Sequence, residues 1–280
     1  MNGKVVVITG ATSGIGRVAS QQLAAQGARI VFVARNPTRG ETALARLREL
    51  GPGIDHRVHY ADLSRLSEMQ RVAREIAATE RHIDVLMNNA GAMFDSKQIT
   101  EDGMERTFAL NHMSYFVVTR ILLERLRATP GARIVNTSSN AHRNARVDYN
   151  NPQMIEGFRM FKAYCVSKLY NIMFTRELSR QLQGAGITVN ALHPGFVATR
   201  FGDETGGAGG TLFRLIKQFA ITPEAGAATP VFLASSPQVA GVTGEYFFKC
   251  RPAPTTAAAK DDAAATWLWA ESERLEHVAN

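Results

Sequence analysis

Val5-Val6-Val7-Ile8-Thr9-Gly10-Ala11-Thr12-Ser13-Gly14-Ile15-Gly16-Arg17 is the stretch on which the reading of this 280-residue chain turns. Four β-branched residues in succession predict a short strand buried on both faces, as inside a parallel sheet. A glycine turn follows from Gly10 to Gly16. Arg17–Gln26 then reads as a helix, with Val18, Leu23 and Ala24 for one face and Gly27 as its stop. Strand, glycine turn and helix in that order put free backbone amides and the positive end of a helix dipole where a phosphate can approach. The spacing is G-x-x-x-G-x-G rather than G-x-G-x-x-G. Alone it also fits an ordinary strand–helix turn; between this strand and this helix it points to a dinucleotide. Gly10, Thr12, Ser13, Gly14, Ile15 and Gly16 are the candidate contacts.

The alternation continues outward. Strands are predicted over 29–34, 57–60, 84–87, 132–137 and 187–192, and helices over 38–50, 67–80, 104–127 and 161–183. Short apolar strands alternating with amphipathic helices mean βαβ units. Right-handed crossovers then give an α/β, doubly wound, mostly parallel sheet flanked by helices. No composition break or repeat divides the chain, so residues 1–280 are expected to form one domain. Ala141–Arg159 is polar and irregular. Gly202–Gly210 holds five glycines in nine residues, and 200–220 is expected to be a mobile loop over the substrate.

Composition closes off other classes. With 45 % hydrophobic and 20 % charged residues, the chain is neither disordered nor fibrous. Two cysteines, Cys165 and Cys250, make no disulfide framework, and the histidines show no ligand spacing, so no catalytic metal is expected. No apolar run reaches the roughly 20 residues of a membrane span, and the N-terminus does not read as a signal peptide; a cytoplasmic protein is expected. The net charge is +7, with 20 basic and 14 acidic residues in 1–150. The basic residues alternate with acids, as in Arg65, Glu68, Arg71, Arg74 and Glu75. That pattern describes solvated helix faces and no nucleic-acid partner.

The second predicted strand ends Val33-Ala34-Arg35-Asn36. About 20 positions past such a glycine turn, an acidic residue would hold a ribose 2′-hydroxyl. Here no acid is present, and the guanidinium of Arg35 suits a 2′-phosphate. Arg35 with Asn36 therefore argues for NADP(H) over NAD(H); an exposed strand end is the other reading of Arg35.

Tyr164 and Lys168 are separated by four positions on a predicted helix and share a face. A tyrosine titrates near 10. A charge about 4 Å away at an effective dielectric of 20 is worth roughly 4 kcal/mol, about three pKa units, so one lysine suffices to bring that hydroxyl toward neutrality. Ser138-Ser139 and Asn88-Asn89-Ala90-Gly91 fall at the ends of successive strands, where open α/β sheets bind ligands. Taken singly, Ser139 also reads as a cap and Asn89 as a loop hydrogen bond.

Together these features resemble the short-chain dehydrogenase/reductase family. The likeness runs over nearly the whole chain: TGATSGIG at 9–16, Asp62-Leu63, NNAG at 88–91, Asn111, Ser139, Tyr164/Lys168 and HPGFVAT at 193–199. It implies a Rossmann fold with a seven-stranded sheet and an alcohol/carbonyl oxidoreductase. Tyr164 would be the general acid/base and Ser139, three after Asn136, would hydrogen-bond the substrate oxygen. Lys168 would lower the tyrosine pKa and hold the nicotinamide ribose, and Asn111 would hold a water of the proton relay. Asp62 and Leu63 would flank the adenine, and Asn89, Ala90 and Gly91 would support the cofactor. Pro194, Gly195, Val197 and Thr199 would contact the nicotinamide half. The long gap between Ser139 and Tyr164, with HPG and the tail GVTGEYFFKC, resembles the retinol dehydrogenase and WW-domain oxidoreductase branch. That implies a lipophilic ketone, aldehyde or alcohol, with Phe158, Phe161, Phe201, Leu212 and Phe213 lining the pocket or packing beneath it. The helices at 104–127 and 161–183 resemble the pair through which many members form homodimers or homotetramers. An NAD(H)-preferring alcohol dehydrogenase and a non-catalytic dinucleotide-binding regulator remain the alternatives.

Overall fold

The computed structural model describes residues 1–195 and 222–278. The apolar run forms β1 (Val5–Thr9), followed by α1 (Gly14–Ala25), β2 (Arg29–Ala34), α2 (Pro37–Leu50), β3 (Arg57–Tyr60), α3 (Leu66–Thr79) and β4 (Val85–Asn88). The chain then passes through α4 (Arg106–Phe108), a π-helical turn (Ala109–Met113) and α5 (Ser114–Arg127) to β5 (Arg133–Thr137). A 3-10 turn (Asn140–Asn144) and the long α6 (Met160–Gln181) lead to β6 (Thr188–Leu192). Beyond residue 221 lie α7 (Pro223–Ser235), β7 (Tyr246–Phe248), β8 (Arg251–Pro252) and α8 (Asp262–Val278).

The strands pair in the order β3-β2-β1-β4-β5-β6-β7-β8. The first seven run parallel and β8 is antiparallel. The sheet thus has eight strands where seven were expected. β8 is two residues long and ends in proline, so no periodicity announces it; it folds back through a two-residue turn in which Lys249 and Cys250 both have positive φ. Val5 and Val7 of β1 pack with α3, α5 and α6 on one face, while Val6 and Ile8 pack with α1, α2 and α7 on the other. Burial on both faces is why these strands read as continuous apolar runs.

The predicted helix over 104–127 is interrupted. The π turn inserts one residue into the hydrogen-bond register, and such turns gather at functional sites; it carries Asn111. On the far side, α8 lies along α6. Trp269 of α8 stacks on Phe174 at 5.9 Å and meets Phe116 edge-on at 4.9 Å. Arg120 pairs with Glu273 and Glu276, and His112 meets Ser272 Oγ at 2.9 Å. Residues 111–119, 165–175 and 177–178 are consequently all buried within one chain. α8 thus occupies the face of the α5–α6 pair that carries Phe116 and Phe174. Light scattering is therefore expected to give the 30.6 kDa mass of one chain; a dimer mass lost on replacing Trp269 would show that this face carries assembly after all.

Candidate active site

The carboxyl ends of β1, β4, β5 and β6 gather the residues singled out from sequence. After β1, Gly10 has φ +74° and a Cβ there would stand 2.9 Å from Ala90 Cα. A Cβ on Gly16 would overlap the Gly10 carbonyl and Asn89 Nδ2. Only glycine fits where these two backbones close. Thr9 Oγ1 accepts from the amides of both Asn89 and Ala90 at 3.0 Å, and Asn89 Nδ2 donates to the Thr9 and Gly10 carbonyls at 3.2 and 3.3 Å. Ser13 leads into α1 with extended φ and no side-chain cap, so the first amides of α1 lack partners within the helix. This is a cradle into which a pyrophosphate fits.

After β5 the two serines diverge. Ser138 is buried and donates its hydroxyl to the Lys168 carbonyl at 2.6 Å. Ser139 is half-buried, caps the 3-10 turn by accepting from Ala141 N at 3.1 Å, and lies near enough to Tyr164 to lower the pKa of its hydroxyl. Tyr164 and Lys168 stand on one face of α6, as their spacing predicts. Burial pushes the Tyr164 hydroxyl up to about 12, and the Ser139 hydrogen bond only partly offsets this. Lys168 is 3 % exposed, and burial pushes its ammonium down to about 7. Its Nζ lies 5.6 Å from the Tyr164 ring centre and donates to the Thr137 carbonyl at 3.1 Å. In the free chain the Lys168 ammonium is directed at the end of β5, and desolvation is the largest influence on both groups.

Asn111 reaches the same place from the π turn. Its Oδ1 accepts from Ala92 N, and its two amide hydrogens go to the Ala92 carbonyl and Ser167 Oγ, at 2.9–3.0 Å. A Cβ on Gly91 would lie 3.1 Å from Asn111 Oδ1 and 3.3 Å from Lys168 Nζ. The Asn111 carboxamide thus braces the segment after β4 against α6.

Comparison with known proteins agrees with this geometry. The short chain dehydrogenase family matches residues 4–207. The chain is a short-chain dehydrogenase. It lies in the retinol dehydrogenase-like branch and is an oxidoreductase. It is 38 % identical to human retinol dehydrogenase 13 over 98 % of this chain and 84 % of that one. A solved structure of an uncharacterized protein from Mycobacterium paratuberculosis matches 99 % of this chain and 94 % of its own, with TM-score 0.79 and 31 % identity. The Pseudomonas aeruginosa RhlG/NADP active-site complex matches 88 % of this chain and 94 % of its own, with TM-score 0.70 and 27 % identity.

In this short-chain dehydrogenase, Arg35 follows β2 and is exposed, and its charge acts on Asp62 after β3. Burial alone would raise the Asp62 carboxyl, yet the Ser64 amide and hydroxyl at 3.0 and 2.8 Å, then Arg35 and Arg106, hold it below its ordinary value. Leu63 is buried. Asn36 has its oxygen engaged as the N-cap of α2, accepting from Arg39 N at 3.0 Å. After β6, Gly195 has φ +95° and donates its amide to His193 Nδ1 at 3.2 Å, beside Pro194. Val197, Thr199, Phe201, Leu212 and Phe213, with the glycine-rich loop, lie outside the described residues.

Sequence reading passed over the polar scaffold beneath the dehydrogenase site. Asn88 Nδ2 donates to Thr119 Oγ1 and Asn136 Oδ1, and Asn136 Nδ2 to Thr175 Oγ1, each at 2.9 Å. The Thr137 carbonyl receives Asn171 Nδ2 as well as Lys168 Nζ, both at 3.1 Å. Tyr115 is also there, with Lys168 Nζ 5.7 Å from its ring centre. The signal available was polar residues inside apolar strands, Asn88 in VLMN and Asn136 in RIVNT, which are tolerated only when paired.

Proposed function

We propose that this chain is an NADP(H)-dependent oxidoreductase that interconverts a lipophilic ketone or aldehyde and its alcohol. The observation that carries the reading is the placement of Tyr164 and a buried Lys168 on one face of α6, with the Ser139 hydroxyl near enough to Tyr164 to act on its pKa, beside a glycine cradle. The bound nicotinamide would supply or accept the hydride. Gly10 to Gly16, Asn89, Ala90 and Gly91 would form its bed, Lys168 would hold its ribose hydroxyls, Pro194 and Gly195 its amide half, and Asp62 and Leu63 the adenine.

Substrate oxygen would sit between Ser139 Oγ and Tyr164 Oη. A tyrosine held at about 12 is protonated near neutral pH, so Tyr164 stands ready to donate its proton to a carbonyl oxygen, and Ser139 to stabilise the charge developing there. This protonation state favours the reductive direction. Support for an apolar substrate comes from Phe161, 53 % exposed one helical turn before Tyr164, and from the retinol dehydrogenase likeness.

Support for NADP(H) comes from Arg35, from the absence of an acid at the end of β2, and from the RhlG/NADP complex among similar structures. Titration with NADPH and NADH tests it. NADPH is expected to bind tenfold or more tightly, about 1.4 kcal/mol, and Arg35→Asp to bring the two within a factor of about three. An unchanged ratio in Arg35→Asp would reject the assignment, and preference for NADH in the parent would leave the dehydrogenase chemistry with the other cofactor.

A further inference from the structure

The 3-10 turn after Ser139 carries a histidine that the chemistry above does not use. His142 is fully buried, and its Nδ1 lies 2.7 Å from the Ser139 carbonyl oxygen. A carbonyl only accepts, so Nδ1 bears the proton and Nε2 is a bare acceptor. Burial lowers the pKa of the ring, which keeps it in this neutral form. Among the described residues Nε2 has no hydrogen-bond partner, and neither does the buried hydroxyl of Tyr246 on β7. The two rings meet edge to face at 5.1 Å. An acceptor without a donor and a donor without an acceptor therefore adjoin each other. Tyr246 in turn stacks on His193 at 5.7 Å, the residue whose Nδ1 receives the Gly195 amide.

We propose that His142 is a positioning residue for Ser139: its Nδ1–H holds the Ser139 carbonyl and so the direction of Ser139 Oγ toward Tyr164, while the Tyr246 ring packs edge to face against the imidazole. The proposal rests on the reading of Ser139 and Tyr164 as the proton-handling pair. Among the described residues His142 is the one side chain bonded to the Ser139 main-chain carbonyl, which also accepts the His142 amide at 3.2 Å, and the Ser139 hydroxyl accepts from Ala141 N. Without His142 the serine would be fixed only by the turn it caps. The chain Ser139–His142–Tyr246–His193 also runs from the end of β5 to Gly195, so it ties the oxygen-binding side of the site to the segment that would face the nicotinamide.

Two measurements test this. Nitrogen-15 NMR of the wild-type histidines, with His142 assigned by its loss in His142→Asn, is expected to show a neutral ring protonated at Nδ1 at pH 7. A ring protonated at Nε2, or charged, overturns the proposal whatever the activity. The second is turnover with NADPH and nonanal beside NADPH affinity. His142→Phe, which keeps the volume and loses both nitrogens, is expected to lower kcat 10- to 100-fold with NADPH Kd within twofold. His142→Asn, whose Nδ2 takes the place of Nδ1, is expected to return kcat to within threefold of wild type. A His142→Phe kcat within twofold of wild type, or a His142→Asn as slow as His142→Phe, overturns it. A wild-type chain that binds NADPH but reduces no carbonyl rejects the functional reading, and the tautomer then decides the placement of Ser139 alone.

Discussion

A Tyr164→Phe chain is expected to bind dinucleotide as the parent does and to turn over carbonyl substrate about 10²- to 10⁴-fold more slowly, the span typical of losing a positioned acid/base. The change removes one oxygen atom and keeps the ring. Phenylalanine preserves the packing of α6, and the cradle at Gly10 and Gly16 lies in the β1–α1 turn and the start of α1. What is lost is the proton at Oη and the oxygen on which the Ser139 hydroxyl acts. Because the hydroxyl sits near 12 in the free protein, the parent should reduce carbonyls at a rate flat from pH 6 to 8. It should oxidise alcohols faster as pH rises, since oxidation needs the phenolate. Steady-state rates in both directions and a fluorescence titration with NADPH check this. A kcat within tenfold of the parent would remove Tyr164 from the chemistry, and a parent whose oxidation is independent of pH would contradict the high tyrosine pKa.

Lys168→Met should lose activity and gain stability. In the free chain the ammonium is buried with the Thr137 carbonyl as its hydrogen-bond acceptor, and its pKa falls from 10.5 to about 7. At about 1.4 kcal/mol per pKa unit, burying that charge costs on the order of 5 kcal/mol at pH 7 and below. The sign follows from proton counting. Between pH 7 and about 10.5 the unfolded chain holds a proton that the folded chain has released, so the stability of the parent rises with pH across that window. Below pH 7 both forms are protonated and the full cost stands. Methionine fills the same channel without charge. Its Tm should exceed that of the parent most at pH 6 to 7, the two converging toward pH 10, while turnover falls at least 100-fold. A difference in Tm that does not change with pH would mean that the lysine is not desolvated as the structure has it.

Much of this was legible in the chain itself, and the exceptions have physical causes. The glycine turn, the strand ends at Asn89 and Ser139, and the shared face of Tyr164 and Lys168 are local features, fixed by spacing. The helix over 104–127 was not legible as three pieces, because a π turn shifts the register by one residue without breaking the apolar pattern. β8 escaped because two residues carry no period. The hydrogen-bond partner of Lys168 was not legible because a spacing of four gives direction but not partner. The Thr137 carbonyl, from a strand some 30 residues earlier, takes the lysine's hydrogen bond. The ladder Thr119–Asn88–Asn136–Thr175 exists only once β4, β5, α5 and α6 have met.

The clasp at Thr9 carries a consequence for how the protein is made. Its hydroxyl closes the glycine turn against Asn89 and Ala90, partners 80 and 81 residues away. A chain emerging from the ribosome therefore completes strand, turn and helix of the phosphate cradle long before the cradle has its far wall. That wall arrives only when β4 crosses over to pair with β1, a non-local step of the kind that slows folding. A half-made chain lacks the wall that binds cofactor, whereas the finished fold is stabilised by binding, by about 2.7 kcal/mol at a hundredfold excess over Kd. The dinucleotide is in this sense a seal on a completed fold rather than a template for it.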